Sequence, residues 1–120
     1  MTAVHHTYPC TLDRVVDGDT MDLVVDLGFR VSHKIRVRLS HFDAPEPRGD
    51  TRVLGKWYTE KVKLWFATHP SGLFVRTSKS GKYGRWLAEI FSGEDGKVFY
   101  LQDYLKWQSG KEGSDEVQAD

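Results

Sequence analysis

The segment at residues 36–46 constrains the fold most strongly, because a strand has to end inside it. Val37 and Leu39 alternate with two arginines, which predicts a strand with one apolar and one cationic face. Pro45 cannot donate a hydrogen bond to a sheet, and it holds Ala44 in an extended conformation. The strand must therefore stop before Pro45, and the charged residues around this point collect at its end.

The end of this strand carries two carboxylates beside a cation. Asp43 and Glu46 lie three residues apart, and Arg38 lies five residues before Asp43. Such a group can hold a hard metal ion and bind an anion. The same residues can also form a salt-bridged strand end, and this stretch alone leaves both interpretations open.

Two further motifs favour the functional interpretation. The upstream motif is VDGDT at residues 16–20, and the downstream motif is KYGR at residues 82–85. The order VDGDT, RLSHFDAPE, KYGR resembles the staphylococcal nuclease (thermonuclease) family across roughly residues 8–108. Each motif is short, but three of them in this order, with a strongly helical segment between the second and third, form a specific signal.

The resemblance implies a metal site made of oxygen ligands. Asp19 and Asp43 match the two calcium-binding carboxylates, and Ala44 matches a residue that contributes its backbone carbonyl. A threonine often stands at the position of Ala44, but a backbone ligand tolerates the change. Asp17 and Thr20 are expected to support the ligands or to form the turn. Oxygen ligands favour one calcium ion, or less strongly magnesium, over zinc.

The resemblance also implies the groups that act on the phosphate. Arg38 and Arg85 match two guanidinium groups that hold the scissile phosphate. The forked donors of a guanidinium group suit the charge on the phosphoryl oxygens better than an ammonium group does. Glu46 matches the carboxylate that orients or deprotonates the attacking water. Lys82 and Tyr83 match positions that line the nucleotide site.

These residues predict a calcium-dependent nuclease that hydrolyses DNA and RNA with little sequence specificity. The resemblance implies 3′-phosphate and 5′-hydroxyl products. The alternative is a non-catalytic OB-fold module that binds single-stranded nucleic acid or protein. Further basic residues would steer a polyanion or would simply be solvated surface: Arg30, Lys34, Arg36, Arg48, Arg52, Lys56 and Lys79.

Apolar periodicity predicts an α+β, mainly β fold: a five-stranded OB-type barrel with a long helix between strands 3 and 4 and a short C-terminal helix. The predicted strands are residues 8–16 (with a bulge near Asp13-Arg14), 20–25, 30–39, 73–77 and 85–91, followed by a short strand at 98–100. The long helix is capped by Asp50 or Thr51 and runs to about His69, and the short helix covers residues 101–107. Residues 78–82 are predicted as a loop and residues 92–96 as a turn.

One domain, residues 8–108, is predicted between a tail at residues 1–7 and an acidic disordered tail at residues 109–120. Formal net charge is zero, but residues 111–120 carry a net charge of −3, so the remainder carries +3. Cys10 is the only cysteine, which excludes an internal disulfide and predicts an apolar role in the first strand.

The chain contains no apolar run long enough to span a membrane and no recognisable signal peptide. A cytoplasmic protein without membrane contact is therefore expected, although secretion with a removed leader stays open.

The C-terminal part predicts an association surface. Relatives usually have a third helix after the second, whereas only 13 mostly polar residues follow Trp107 here. The apolar surface that such a helix covers must be covered by residues 101–107 or remain partly exposed. Residues 98–108 are therefore expected to form a homodimer contact or to meet a protein partner.

Overall fold

A computed structural model of the chain describes residues 6–80, 86–94 and 96–110, except for the side chains of residues 79 and 80. The strands are β1 (Thr7–Asp17), β2 (Thr20–Gly28), β3 (Val31–Leu39), β4 (Leu73–Ser80), β5 (Trp86–Glu94) and β6 (Lys97–Tyr100). The helices are α1 (Arg52–Thr68), which follows a 3₁₀ turn at Gly49–Thr51, and α2 (Leu101–Ser109).

The strands form a closed barrel with one additional strand. Their order in the sheet is β3-β2-β1-β4-β5-β6, and β3 also pairs with β5. That last pairing is parallel, aligns Val37 with Trp86 and Leu39 with Ala88, and closes the first five strands into a barrel. The predicted barrel, the helix between strands 3 and 4, and the short C-terminal helix are confirmed.

The barrel interior is filled by alternate residues of the strands. Met21 and Leu23 of β2, Val37 of β3 and Val75 of β4 are fully buried, as expected for side chains on one face of a pleated strand. Cys10 is buried with them, and desolvation raises the pKa of its thiol to about 12. Its predicted role as a small apolar residue is confirmed.

Two predicted strand boundaries were wrong, whereas the predicted bulge is confirmed. The register of β1 against β2 shifts between Leu12 and Arg14, where the bulge was expected. However, β4 continues to Ser80 and β5 continues through Ser92, although their polar residues had predicted a loop and a turn. Backbone pairing with neighbouring strands, such as Leu73 with Ser92, overrides the weak strand propensity of serine and glycine.

Helix α1 packs against the barrel through its predicted apolar stripe. Its buried residues are Gly55, Trp57, Tyr58, Val62, Trp65 and Phe66. Thr51 occupies the N-cap position, as predicted, although its side chain forms no cap hydrogen bond. The hydroxyl of Thr51 donates instead to the carbonyl oxygen of Glu46 at 2.6 Å. This bond ties the loop after β3 to the start of the helix.

Helix α2 is held to the barrel by a buried glutamine as well as by apolar contacts. Leu101 is fully buried. The side-chain oxygen of Gln102 accepts a hydrogen bond from the backbone N–H of Ile90, and its amide donates to the carbonyl oxygens of Ala88 (3.0 Å) and Ser40 (3.4 Å). Because Ser40 follows β3 directly, Gln102 also fixes the segment that leads to Asp43.

The outer face of residues 98–108 remains partly exposed. Trp107 is 61% exposed, and Val98 and Phe99 are exposed beside it. The ring of Phe99 contacts His69 at the end of α1, with ring centroids 5.7 Å apart. The C-terminal segment therefore covers part of the barrel itself and leaves an aromatic surface open to solvent.

Neither described helix meets the requirements for crossing a membrane. No helix within residues 6–80, 86–94 or 96–110 is both long enough and apolar enough.

Candidate active site

Three separate segments meet at one corner of the barrel. Asp19 lies in the turn between β1 and β2, Arg38 lies near the end of β3, and Asp43 lies in the loop after β3. Thr20 pairs with Arg38 in the antiparallel ladder. The backbone N–H of Leu39 donates to the carbonyl oxygen of Asp19 at 2.8 Å. Backbone hydrogen bonds thus hold the end of β3 beside the aspartate turn.

One guanidinium group lies between the two aspartates. The Nη2 atom of Arg38 is 3.8 Å from Oδ2 of Asp19, and the same atom donates to Oδ1 of Asp43. Asp19 is only 8% exposed, whereas the side chain of Asp43 is 79% exposed. The corner therefore combines a buried carboxylate, a half-buried cation and a carboxylate that solvent reaches freely.

The orientation of the Asp19 carboxylate is fixed by its own neighbours. Its Oδ1 accepts a hydrogen bond from the hydroxyl of Thr20 (3.0 Å), and its Oδ2 accepts one from the backbone N–H of Ala44 (2.9 Å). Asp17 accepts a hydrogen bond from the backbone N–H of Asp19 at 3.1 Å. Thr20 and Asp17 thus both form hydrogen bonds with Asp19.

The charge on Asp19 is unfavourable in the folded protein. Burial and the neighbouring carboxyl of Asp17 raise the pKa of Asp19 to about 6, although the hydrogen bonds from Ala44 and Thr20 act in the opposite direction. At neutral pH the fold therefore carries an ionised carboxylate that costs stability.

We expect Asp19→Asn to raise the free energy of unfolding by roughly 1–2 kcal/mol at pH 8, measured by urea denaturation in chelator. The folded pKa of Asp19, about 6, lies above its ordinary value of 3.8, so the folded state binds more protons in this window. The contribution of Asp19 to the free energy of unfolding of the wild-type chain should therefore rise as the pH falls from about 6 towards 4. The variant should not show this rise.

The control for this substitution is Asp22→Asn on β2, the strand that follows the turn with Asp19. Arg36 donates two hydrogen bonds to Asp22 and lowers its pKa, so this variant should lose stability at pH 8. A loss of stability in Asp19→Asn at pH 8 would contradict the unfavourable charge assigned to Asp19.

A glycine makes room for this arrangement. A Cβ atom at Gly18 would lie 2.6 Å from that of Ala44 and 2.8 Å from that of Tyr58. The sequence predicted Gly18 only as a turn residue. The structure gives it a second role, since a side chain here would push Ala44 away from Asp19.

Glu46 lies apart from the contacts that join Asp19, Arg38 and Asp43. Its exposed carboxylate accepts a hydrogen bond from Nη2 of Arg48 at 3.2 Å. Its backbone packs against Gly55 of α1, where a Cβ atom would lie within 2.5 Å of the Glu46 carbonyl carbon. The sequence predicted neither the partner Arg48 nor the support by Gly55, because both depend on how the loop meets the helix.

A cleft of about 470 Å³ opens beside Arg38 and Asp43. Its other lining residues are Leu39, Ser40, His41, Phe42, Ser78 and Leu87. Sequence reasoning missed Ser78 and Leu87, which reach this cleft because β5 pairs with the end of β3 and β4 pairs with β5. The cleft gives an anion access to the guanidinium of Arg38.

Arg85, Lys82 and Tyr83 lie outside the described residues. Among the predicted steering cations, Arg36 forms its ion pair with Asp22 at 2.7 Å, and Lys34 pairs with Asp13 at 3.3 Å. These two cations are therefore partly neutralised within the fold.

The donor atoms predicted for the metal are all oxygen. Within the described ranges, no group of three or more histidine, cysteine, aspartate or glutamate side chains could hold a metal ion. The predicted ligands are instead two carboxylates and one backbone oxygen, and both carboxylates of this set converge on one nitrogen of Arg38. Oxygen atoms of this kind suit calcium or magnesium.

No protein-family model matches the chain, and the search of the curated proteins found no match. A functional assignment therefore has to be argued from the geometry of this corner and from the three sequence motifs.

Proposed function

We propose that the chain is a calcium-dependent nuclease that hydrolyses phosphodiester bonds in DNA and RNA and leaves 3′-phosphate ends. The observation that carries this proposal is the convergence of Asp19, Arg38 and Asp43 at the edge of a cleft. Asp19 comes from a turn that is separate in sequence from the segment with Arg38 and Asp43, and the three functional groups meet beside a cleft that a polyanion can enter.

Arg38 supplies the phosphate-binding group. Its side chain is partly exposed and lines the cleft, and its guanidinium already binds the carboxylate of Asp43. A phosphate oxygen can take the place of that carboxylate oxygen, since guanidinium groups bind both with the same forked geometry. Positive charge held at this point stabilises the charge that develops on the phosphoryl oxygens. Arg85 is proposed as the second guanidinium from its sequence motif alone.

The proposed calcium ligands are Asp19, Asp43 and the backbone carbonyl of Ala44. When bound, calcium supplies positive charge beside the phosphate and makes nearby water more acidic. The N–H of Ala44 and the hydroxyl of Thr20 hold the Asp19 carboxylate in place, as hydrogen bonds to metal ligands commonly do.

Glu46 is proposed to take a proton from the attacking water. Its carboxylate is exposed, so water reaches it directly. Its backbone is fixed by the hydroxyl of Thr51 and by close packing against Gly55. The side chain thus extends from an anchored position, which a general base requires.

One observation favours the alternative, a non-catalytic OB-fold binding module. Arg38 and Glu46 are both engaged in ion pairs within the chain, with Asp43 and Arg48 respectively. A module that needed these residues only for its own structure would show the same pairs.

The deciding experiment incubates the purified chain with plasmid DNA and with single-stranded DNA in calcium, in magnesium and in excess chelator. A nuclease of the proposed kind degrades both substrates in calcium, more slowly in magnesium, and not in chelator. A binding module retards both DNAs on a gel without cutting them. Full cleavage in chelator would overturn the metal assignment.

The exposed aromatic face of residues 98–108 is proposed as an association surface. If this surface joins two copies, sedimentation velocity should show a dimer for the wild-type chain and a monomer for Trp107→Ser. The substitution removes a side chain that is 61% exposed, so the fold should tolerate it. A wild-type chain that remains monomeric at high concentration would exclude the homodimer.

A further inference from the structure

A second cavity, of about 440 Å³, lies beside the cleft and shares Ser78 with it. Its lining residues are His6, Tyr8, Val25, Leu27, His33, Ile35, Thr77, Ser78 and Trp86. Those on the strands continue the alternation of the core: Val25 follows Leu23 by two residues, Ile35 precedes Val37 by two, and Thr77 follows Val75 by two. Side chains two apart share a face of a strand, so this cavity is the open mouth of the barrel interior.

The barrel mouth combines rings with an apolar wall. Tyr8, His33 and Trp86 contribute aromatic rings, and Val25 and Ile35 contribute aliphatic surface. Trp86 is 43% exposed, which is unusual for so large an apolar side chain on a core-facing position. A mostly apolar concave site with a few polar groups is the usual form of a small-ligand pocket, and the mouths of β-barrels are frequent locations for one.

The barrel mouth adjoins the cleft that contains Arg38. Ser78 lines both cavities. Trp86 lines the mouth, whereas the next residue, Leu87, lines the cleft. In the parallel ladder, Val37 pairs with Trp86 and Arg38 pairs with Leu87. Because consecutive side chains of a strand point to opposite faces, the indole lies on the mouth side of β5, whereas Leu87 and Arg38 lie on the cleft side, and Ser78 of β4 borders both cavities.

We propose that the barrel mouth is a nucleobase subsite, in which Trp86 stacks on a base next to the phosphate held by Arg38. The identity of the ligand rests on the proposed function, because the neighbouring cleft supplies the phosphate. Each of the nucleobases is a flat heteroaromatic ring that fits an aromatic-lined pocket. Stacking therefore adds affinity without selecting among the bases. A base within this mouth is necessarily unpaired, which determines the choice of probe.

The test measures equilibrium binding of two fluorescently labelled strands in chelator: dT8, and an abasic strand with the same number of phosphates. We expect Trp86→Ala to weaken binding of dT8 by roughly tenfold, since one stacked base is lost, and to leave binding of the abasic strand unchanged. Trp86→Phe should keep most of the affinity for dT8. Leu64→Ala, at an apolar side chain of α1 that is 50% exposed, should change neither affinity.

Equal weakening of both strands by Trp86→Ala, or no weakening of either, would overturn the proposal. If Trp86→Ala fails to fold, the wild-type chain still provides the test by NMR. The indole N–H signal of Trp86, assigned with Trp86→Phe, should shift on addition of thymidine 5′-monophosphate and stay in place with deoxyribose 5-phosphate. An unmoved signal in both titrations would also overturn the subsite.

The two experiments test the base subsite and the nuclease activity independently of each other. If the chain cuts no DNA but Trp86→Ala weakens dT8 binding selectively, the proposed hydrolysis is wrong and the subsite stands. If the chain cuts DNA in calcium and Trp86→Ala affects both strands alike, the hydrolysis stands and the subsite is wrong.

Discussion

Replacing Arg38 with alanine should lower the rate of DNA hydrolysis at least about 100-fold, because it removes the charge that we propose stabilises the transition state. The guanidinium lies at the edge of the cleft and contacts Asp43 while remaining 3.8 Å from Asp19. Arg38→Lys should also be poor, since an ammonium group cannot make a bidentate contact with phosphate. Initial rates on single-stranded DNA in calcium measure both effects.

Arg36→Ala is the matched control. Arg36 lies two residues earlier on β3 and therefore on the same face, but its guanidinium donates both of its hydrogen bonds to Asp22. Its removal should leave turnover nearly unchanged. If Arg36→Ala were as inactive as Arg38→Ala, the loss of activity would result from the lower positive charge of this face and not from a specific contact of Arg38. Near-normal turnover of a folded Arg38→Lys would contradict the role assigned to Arg38.

The barrel could be predicted because its local signals agree with one another. Alternation around Val37 and Leu39, the stop at Pro45 and the helical stripe of Trp57 and Trp65 all indicate the same architecture. The ends of β4 and β5 could not be predicted in this way. Their serines and glycines disfavour strands in isolation, and only pairing with neighbouring strands keeps them extended.

The candidate site was only partly predictable. The motifs name Asp19, Arg38 and Asp43 as its members, but they do not reveal that a single nitrogen of Arg38 reaches both carboxylates. Contacts of that kind depend on the register between β2 and β3 and on the path of the loop that follows. The requirement for glycine at position 18 was missed for the same reason, since it arises from contact with Ala44 and Tyr58.

The barrel mouth could not be found from the sequence at all. Tyr8, Val25, Ile35 and Trp86 lie on four different strands, and each one alone has the pattern of a core residue. The cavity exists because the parallel pairing of β3 with β5 closes the barrel around them. Long-range closure of this kind leaves no mark on any single stretch of sequence.

Gly55 offers a way to move Glu46 without changing it. Gly55 is buried in α1, and a Cβ atom there would lie within 2.5 Å of the Glu46 carbonyl carbon and the Pro47 Cα atom. Ordinary contact begins at 3.4 Å, so the loop would have to move by about 1 Å. Both atoms belong to the backbone, and a change of side-chain rotamer therefore cannot relieve the overlap. The displacement would also strain the hydrogen bond from the hydroxyl of Thr51.

Gly55→Ala should therefore lower kcat on single-stranded DNA by about 10- to 100-fold, because a misplacement of about 1 Å can cost 10²-fold. Stability should change less, since alanine favours the helix by about 1 kcal/mol and offsets part of the overlap. Gly93→Ala is the matched control: its Cβ atom would meet only a ring carbon of Phe74, at 3.8 Å, and activity should stay normal. Thermal unfolding checks that both variants fold. The three atoms nearest to this Cβ atom all belong to the backbone of Glu46 and Pro47. Full activity in a folded Gly55→Ala would therefore mean that hydrolysis does not depend on where Glu46 is held.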